Sequence, residues 1–340
     1  MKRTAILILG LLAVPALLSA KVMVLTTTSD LAALTKAVGG EFVEVQSLAR
    51  GRQDPHFIDA KPSFMLAAHK ADLFIRIGLE MEIGYERLIL EGGRNPKILV
   101  NSRGHLDASY GIQLLEVPGV DVDRSMGDVH PKGNPHYWLD PANGRKMAQS
   151  IATRLSEIDP AHAGAYKSNL TAFENKLVRA MFGNALVAVF GPAILWEHNR
   201  KGDLVEWLRG QGKTGELSGW VGRMNHLRGA RLVAFHRSLI YFTRAFGLVI
   251  VDVLEPKPGI PPTAAHLVDV IHRMVEQKIR LIIQEPFYNQ KPGQMVAAKT
   301  GAALVVIANS VGGDPEVEDY IALIDNLVKR VADALEKKGS

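Results

Sequence analysis

The chain has 340 residues, of which 47% are hydrophobic and 22% charged, enough to bury two ordinary cores and too apolar for a disordered chain. Its 40 Lys+Arg against 35 Asp+Glu leave +5, and no basic run exceeds two residues, which argues against a nucleic-acid partner. Cysteine is absent, so thiol catalysis, Cys-type zinc sites, iron–sulfur clusters, disulfides and a lipid-bearing cysteine are all excluded.

Residues 1–20 combine a basic start, Lys2-Arg3, an uncharged apolar stretch from Ala5 to Leu18 and the small residues Ser19-Ala20. This pattern predicts a secretory signal peptide cut near Ala20, with the mature chain in the periplasm. An apolar run at Val22 to Leu25 then leads through Thr26-Thr27-Thr28-Ser29-Asp30, good capping residues, into a helix over Leu31 to Val38. Strands at Phe42 to Val45, Leu73 to Ile77 and Ile98 to Val100 alternate with helices at Pro62 to His69 and Ile83 to Leu90. Asp159-Pro160 opens a stripe of Tyr166, Leu170, Phe173, Leu177 and Met181, the apolar face of a helix of about seven turns. Gly183 to Gly229 is glycine-rich and poorly periodic and reads as an insertion. The alternation then resumes: apolar runs at Arg231 to Phe235, Leu248 to Val253, Ile279 to Ile283 and Ala303 to Ile307, and helices at Ser238 to Phe246, Ala264 to Gln277, Pro292 to Lys299 and Val317 to Lys337. Such a rhythm implies an α/β protein with two parallel-sheet lobes: residues 21–158, a linking helix at 159–183, and residues 184–340.

Eleven histidines occur. His69, His162, His266 and His272 fall in helical stretches without a ligand partner one turn away, and His105, His198 and His226 stand isolated in polar loops. Three differ. His56 follows Asp54-Pro55 after the second predicted strand, His136 lies in Asn134-Pro135-His136-Tyr137-Trp138-Leu139-Asp140-Pro141, and His236 ends the run Leu232-Val233-Ala234-Phe235. In open α/β sheets ligands bind outside the carboxyl ends of strands, and a proline before a ligand limits the entropy lost on binding.

Asp54-Pro55-His56 with Lys61-Pro62-Ser63, the Asn134 to Pro141 segment, Phe235-His236 with Tyr241-Phe242, and Glu255-Pro256-Lys257-Pro258-Gly259-Ile260-Pro261-Pro262 stand in an order that resembles the metal-receptor family serving zinc and manganese ABC importers. The resemblance implies a bilobed receptor with metal between the lobes, held by His56, His136 and His236. It implies delivery to a membrane permease with its ATPase, and no catalysis. The family's usual fourth ligand is an aspartate after the last strand of the second lobe, where this chain has Asn309. That leaves Glu285, Asp314 or water, with Glu285 as fourth ligand or as a hydrogen-bond partner behind the ligands. His130, six residues before His136, is an accessory candidate.

Three imidazoles with one oxygen suit Zn²⁺; an oxygen-richer set would suit Mn²⁺. With three imidazoles of ordinary pKa near 6.5, affinity would fall steeply below about pH 6. The alternatives are a secreted zinc hydrolase, which needs a general base beside bound water, and an adhesin-like protein on the same fold. Gly212-Lys213-Thr214 lacks the earlier glycine of a phosphate loop, no His-Glu-x-x-His occurs, and Asn169-Leu170-Thr171 lies on the predicted linking helix. The chain is expected to act as a monomer.

Overall fold

The structure is a computed structural model that describes residues 20–119, 130–257 and 259–337. The expected leader thus lies outside the described residues, apart from Ala20.

In the first lobe, β1 (Val22–Thr26), β2 (Val43–Ser47), β3 (Leu73–Arg76) and β4 (His105–Asp107) form a parallel sheet of order β2-β1-β3-β4. The helices α1 (Ser29–Gly39), α2 (Pro62–Lys70) and α3 (Glu86–Gly93) connect its strands. Then follow α4 (Pro141–Ile158), α5 (Ala163–Phe182), α6 (Asn184–Lys201), α7 (Leu204–Gly210) and α8 (Gly219–Asn225). The second lobe repeats the first sheet's order as β6-β5-β7-β8, built from β5 (Arg231–Ala234), β6 (Val249–Val253), β7 (Leu281–Gln284) and β8 (Ala303–Val306). Around them lie α9 (Ile240–Phe246), α10 (Ala264–Glu276), α11 (Gln290–Thr300) and α12 (Tyr320–Lys337). In each sheet the chain reverses direction beside the first strand, so a crevice opens at the carboxyl ends between β1 and β3 and again between β5 and β7.

Three sequence expectations change. Ile98–Val100 is no strand: Asn95 caps a short 3-10 turn at Pro96–Ile98, Leu99 and Val100 are exposed, and β4 falls later, at His105–Asp107. Gly104 permits that pairing, since a Cβ there would lie 2.3 Å from the Lys97 carbonyl oxygen. The third helix, α3, begins at Glu86 rather than Ile83. Residues 184–229 are not an irregular insertion but carry α6, α7 and α8, with their periodicity broken at Gly191 (φ 73°) before Pro192. The predicted stripe on α5 buries Tyr166, Phe173, Leu177 and Met181 as expected, after a 3-10 turn at Pro160–His162.

A single apolar core runs through both lobes, from Val22 and Leu31 through Leu155 and Leu177 to Leu232 and Leu327. Smaller clusters cover the outer faces, one around Phe74 and Ile89, the other around Val270 and Ile282. Polar contacts close the seam between the lobes. The Val311 amide donates to Asp30 Oδ1 at 2.9 Å, and Gly51 approaches the 311–313 loop so closely that a Cβ would meet the Gly313 nitrogen at 2.3 Å. Burial raises the Asp30 carboxyl to about 7, against the Val311 and Ser310 bonds that lower it.

Candidate metal centre

The two Pro-His segments use one local device. The Asp54 carboxylate accepts from the His56 backbone N–H at 3.0 Å and from its Nδ1 at 2.7 Å. Asn134 Oδ1 likewise accepts from the His136 N–H at 2.9 Å and its Nδ1 at 3.0 Å. The side chain two residues before each histidine therefore fixes both loop and ring, while the proline stiffens the link. His236 is held differently: Glu255, at the end of β6, accepts from its Nδ1 at 2.9 Å, and the Glu255 amide donates to the Phe235 carbonyl at 2.9 Å. In all three rings Nδ1 is occupied as a donor, which leaves Nε2 with its lone pair.

These rings meet. One nitrogen from each of His56, His136 and His236 lies within 4.8 Å of the other two, and among the described residues no carboxylate joins this group. The ring centroids are 5.2 Å (His56–His136), 5.3 Å (His136–His236) and 5.9 Å (His56–His236) apart. His136 and His236 are 2% and 5% exposed, and His56 is partly so. Burial, and after it the neighbouring imidazoles, hold His136 well below the ordinary histidine pKa. The expectation of three ordinary titrations is corrected there: a ring buried among three others resists a proton.

The segment around His136 is tied to both lobes. Tyr137 Oη donates to the Ile77 carbonyl at 2.6 Å, Trp138 Nε1 to the Asn309 carbonyl at 2.8 Å, and Tyr320 Oη to the Trp138 carbonyl at 2.5 Å. Tyr241 Oη accepts from the Leu115 amide at 3.0 Å and donates to the Asn134 carbonyl at 2.9 Å. Asp140 then caps α4 by accepting from the Ala142 amide, with Pro141 in the first turn.

Glu285 is 2% exposed, just past β7. Its Oε1 accepts from the Ser238 hydroxyl and its Oε2 has no partner; burial raises its pKa to about 7. Asn309 Oδ1 is also buried without a partner. Asp314 faces elsewhere, toward Asn326 Nδ2 at 3.2 Å and Arg330 Nη1 at 3.3 Å. His130 Nε2 stands 3.1 Å from His56 Nε2.

Five other histidines are bonded away from the cluster: His69 to the Gly93 carbonyl, His162 to Asp159, His198 to Asp203, His226 to Glu336 and His266 to the Val253 carbonyl. His105 starts β4 and bonds Glu86, and His198 lies on α6, so neither is in a loop. Asn169 Nδ2 donates to the Val38 carbonyl at 2.9 Å, a packing role.

The model of the family "Zinc-uptake complex component A periplasmic" matches residues 24–180 and 216–334. The chain belongs to this family. The unmatched stretch holds α6 and α7, where the sequence rhythm also failed. The metal ABC transporter substrate-binding lipoprotein ScbA of Streptococcus cristatus is 33% identical over 159 residues, 47% of this chain and 49% of ScbA. The chain thus spans about half the length of such curated relatives. The iron-binding protein YfeA of Yersinia pestis is 24% identical over 92% of this chain and 86% of its own length. A crystal structure of ZnuA superposes with a TM-score of 0.67 at 23% identity, covering 93% of this chain and 99% of the other, which establishes the two-lobed α/β fold.

Proposed function

We propose that this zinc-uptake family member is an extracytoplasmic receptor that captures one Zn²⁺ in the cleft and delivers it to an ABC permease with its ATPase. The mature chain works in the periplasm as a monomer, with lobes at 21–158 and 184–340 joined by the helix at 159–183. His56, His136 and His236 bind the ion through Nε2, and the protein performs no chemistry on it. The observation that carries this reading is the convergence of three nitrogens within 4.8 Å, each ring oriented by an acceptor on Nδ1. Neutral imidazoles favour zinc over harder ions. A manganese cargo is the second reading, favoured by the 31% identity over 163 residues to the manganese ABC transporter substrate-binding lipoprotein PsaA of Streptococcus pneumoniae. Tag-free protein titrated with Zn²⁺ and Mn²⁺ against a competing chelator decides: one tightly bound Zn²⁺ per chain supports the proposal, and preference for Mn²⁺ refutes it.

Glu285 acts from behind the ligands rather than on the ion, since its carboxylate lies outside the nitrogen group and one oxygen is engaged by Ser238. Glu285→Gln is expected to weaken zinc binding by about 10- to 100-fold, as outer contacts usually do. The zinc-edge absorption spectrum should keep three nitrogens and one oxygen. Loss of the oxygen would make Glu285 a direct ligand.

The depressed His136 pKa sets a pH signature. Burial and the neighbouring imidazoles make that ring resist protonation as the solution is acidified. Over pH 7 to 5 log affinity should therefore fall by fewer than three per pH unit, the limit for three freely competing protons. Chelator titrations across that range would refute the arrangement if the slope reached three.

A further inference from the structure

His130 is the cluster's neighbour that three-histidine capture leaves without a task. Its ring stacks on His56 with centroids 5.2 Å apart and planes at 28°, and its Nε2 stands 3.1 Å from the Nε2 that His56 would offer an ion. Because Asp54 accepts from His56 Nδ1, the lone pair of His56 is on Nε2, facing His130 Nε2, while the His130 ring also bonds the Leu79 backbone. His130 is not a member of the convergent group, which contains only His56, His136 and His236 among the described residues. Among the described ring contacts, His56 touches His130, His136 and His236, whereas His130 touches His56 alone. His56 is therefore shared between an outer pair and an inner trio. His130 is partly exposed, against 2% and 5% for His136 and His236, whereas the His56 side chain is only 8% exposed, so His130 stands on the solvent side and His56 between it and the inner rings.

Resting on the receptor reading above, we propose that His56 and His130 form a two-nitrogen landing site, where the incoming divalent ion is held first, with water in its remaining positions, before His56 carries it into the trio. The spacing suits this: two Zn–N bonds of about 2.0–2.1 Å at a tetrahedral angle place their nitrogens about 3.3 Å apart, close to the 3.1 Å observed. The exchange balances without a co-reactant. The ion takes both Nε2 lone pairs and water leaves it, with the proton of each ring on Nδ1. A ligand used only in transit lowers the barrier in both directions and leaves the equilibrium untouched, and this separates it from every other role.

The test is stopped-flow uptake of Zn²⁺ by the full chain, and its release to excess chelator, for wild type, His130→Ala and His130→Gln. Uptake and release should slow together by about tenfold, a barrier change of about 1.4 kcal/mol, in both variants and with Kd unchanged. Weaker Kd through faster release, with a nitrogen lost from the zinc-edge spectrum, would make His130 a permanent ligand and overturn the proposal. Faster uptake with tighter Kd would make it a plug, and wild-type rates in His130→Gln would reduce it to a hydrogen bond; each overturns it too. If wild type binds no stoichiometric Zn²⁺, the receptor reading fails first, and the landing site with it.

Discussion

His136→Ala is expected to weaken Zn²⁺ binding by about a hundredfold or more. Binding energies on the order of 10 kcal/mol, shared among three or four donors, give each about 3 kcal/mol, or about two decades of affinity. His136 is the variant to choose because it is the most buried of the three, at 2% exposure, and its ring is oriented by Asn134. A second readout follows by mass action. At a free zinc level of about 1,000 Kd the wild-type fold gains about 4 kcal/mol, whereas a hundredfold weaker variant gains only about 1.4 kcal/mol. Zinc should therefore raise the melting temperature of wild type clearly and that of His136→Ala little. His226→Ala, which loses only an exposed contact to Glu336, is the control and should bind zinc as wild type does. Undiminished affinity in His136→Ala would remove the ring from the ligand set.

The three rings were legible in the sequence because two of them are oriented locally. Asp54 and Asn134 stand two residues before their histidines, so the Asx-Pro-His spacing already contains the hydrogen bonds found at His56 and His136. In the sequence Glu255 stands only within a motif, and its hold on His236 is not legible there, because the contact exists only once β6 pairs with β5. The same distinction runs through the fold. Strands with three or four apolar residues announced themselves, whereas β4, with the sequence His105-Leu106-Asp107, has one apolar residue and was displaced onto the more hydrophobic Ile98–Val100. The helix α4 was overlooked because Asp140-Pro141 reads equally as the end of a turn or as a cap with proline in the first helical turn. Burial of Met147, Ile151 and Leu155 against the common core selects the helix. In α6 the left-handed Gly191 resets the phase of the helix, so no single apolar face runs its length.

Trp138→Ala should produce the largest loss of stability among single changes in the motif segment. The indole is fully buried, belongs to the core shared by the lobes, and lies with its centroid 5.2 Å from that of His136. Removing a buried aromatic ring of this size costs about 3–5 kcal/mol, and the Asn309 carbonyl loses its Nε1 donor as well. For a chain of this length, a melting temperature lower by about 4–7 °C is expected from the lost packing alone. Trp138→Phe separates the two contributions, because it keeps most of the apolar volume and loses the bond to Asn309. It should cost about 1–3 kcal/mol, the price of a buried acceptor left unpaired. Zinc binding gives the third reading. Trp138 touches no ion, so its effect on affinity passes through the position of His136 and should stay within about 100-fold for Phe, as for an outer contact. Equal melting temperatures for wild type and Trp138→Ala would mean that the segment is held by Tyr137, Tyr320 and Tyr241 alone, through their bonds to Ile77, Trp138 and Asn134.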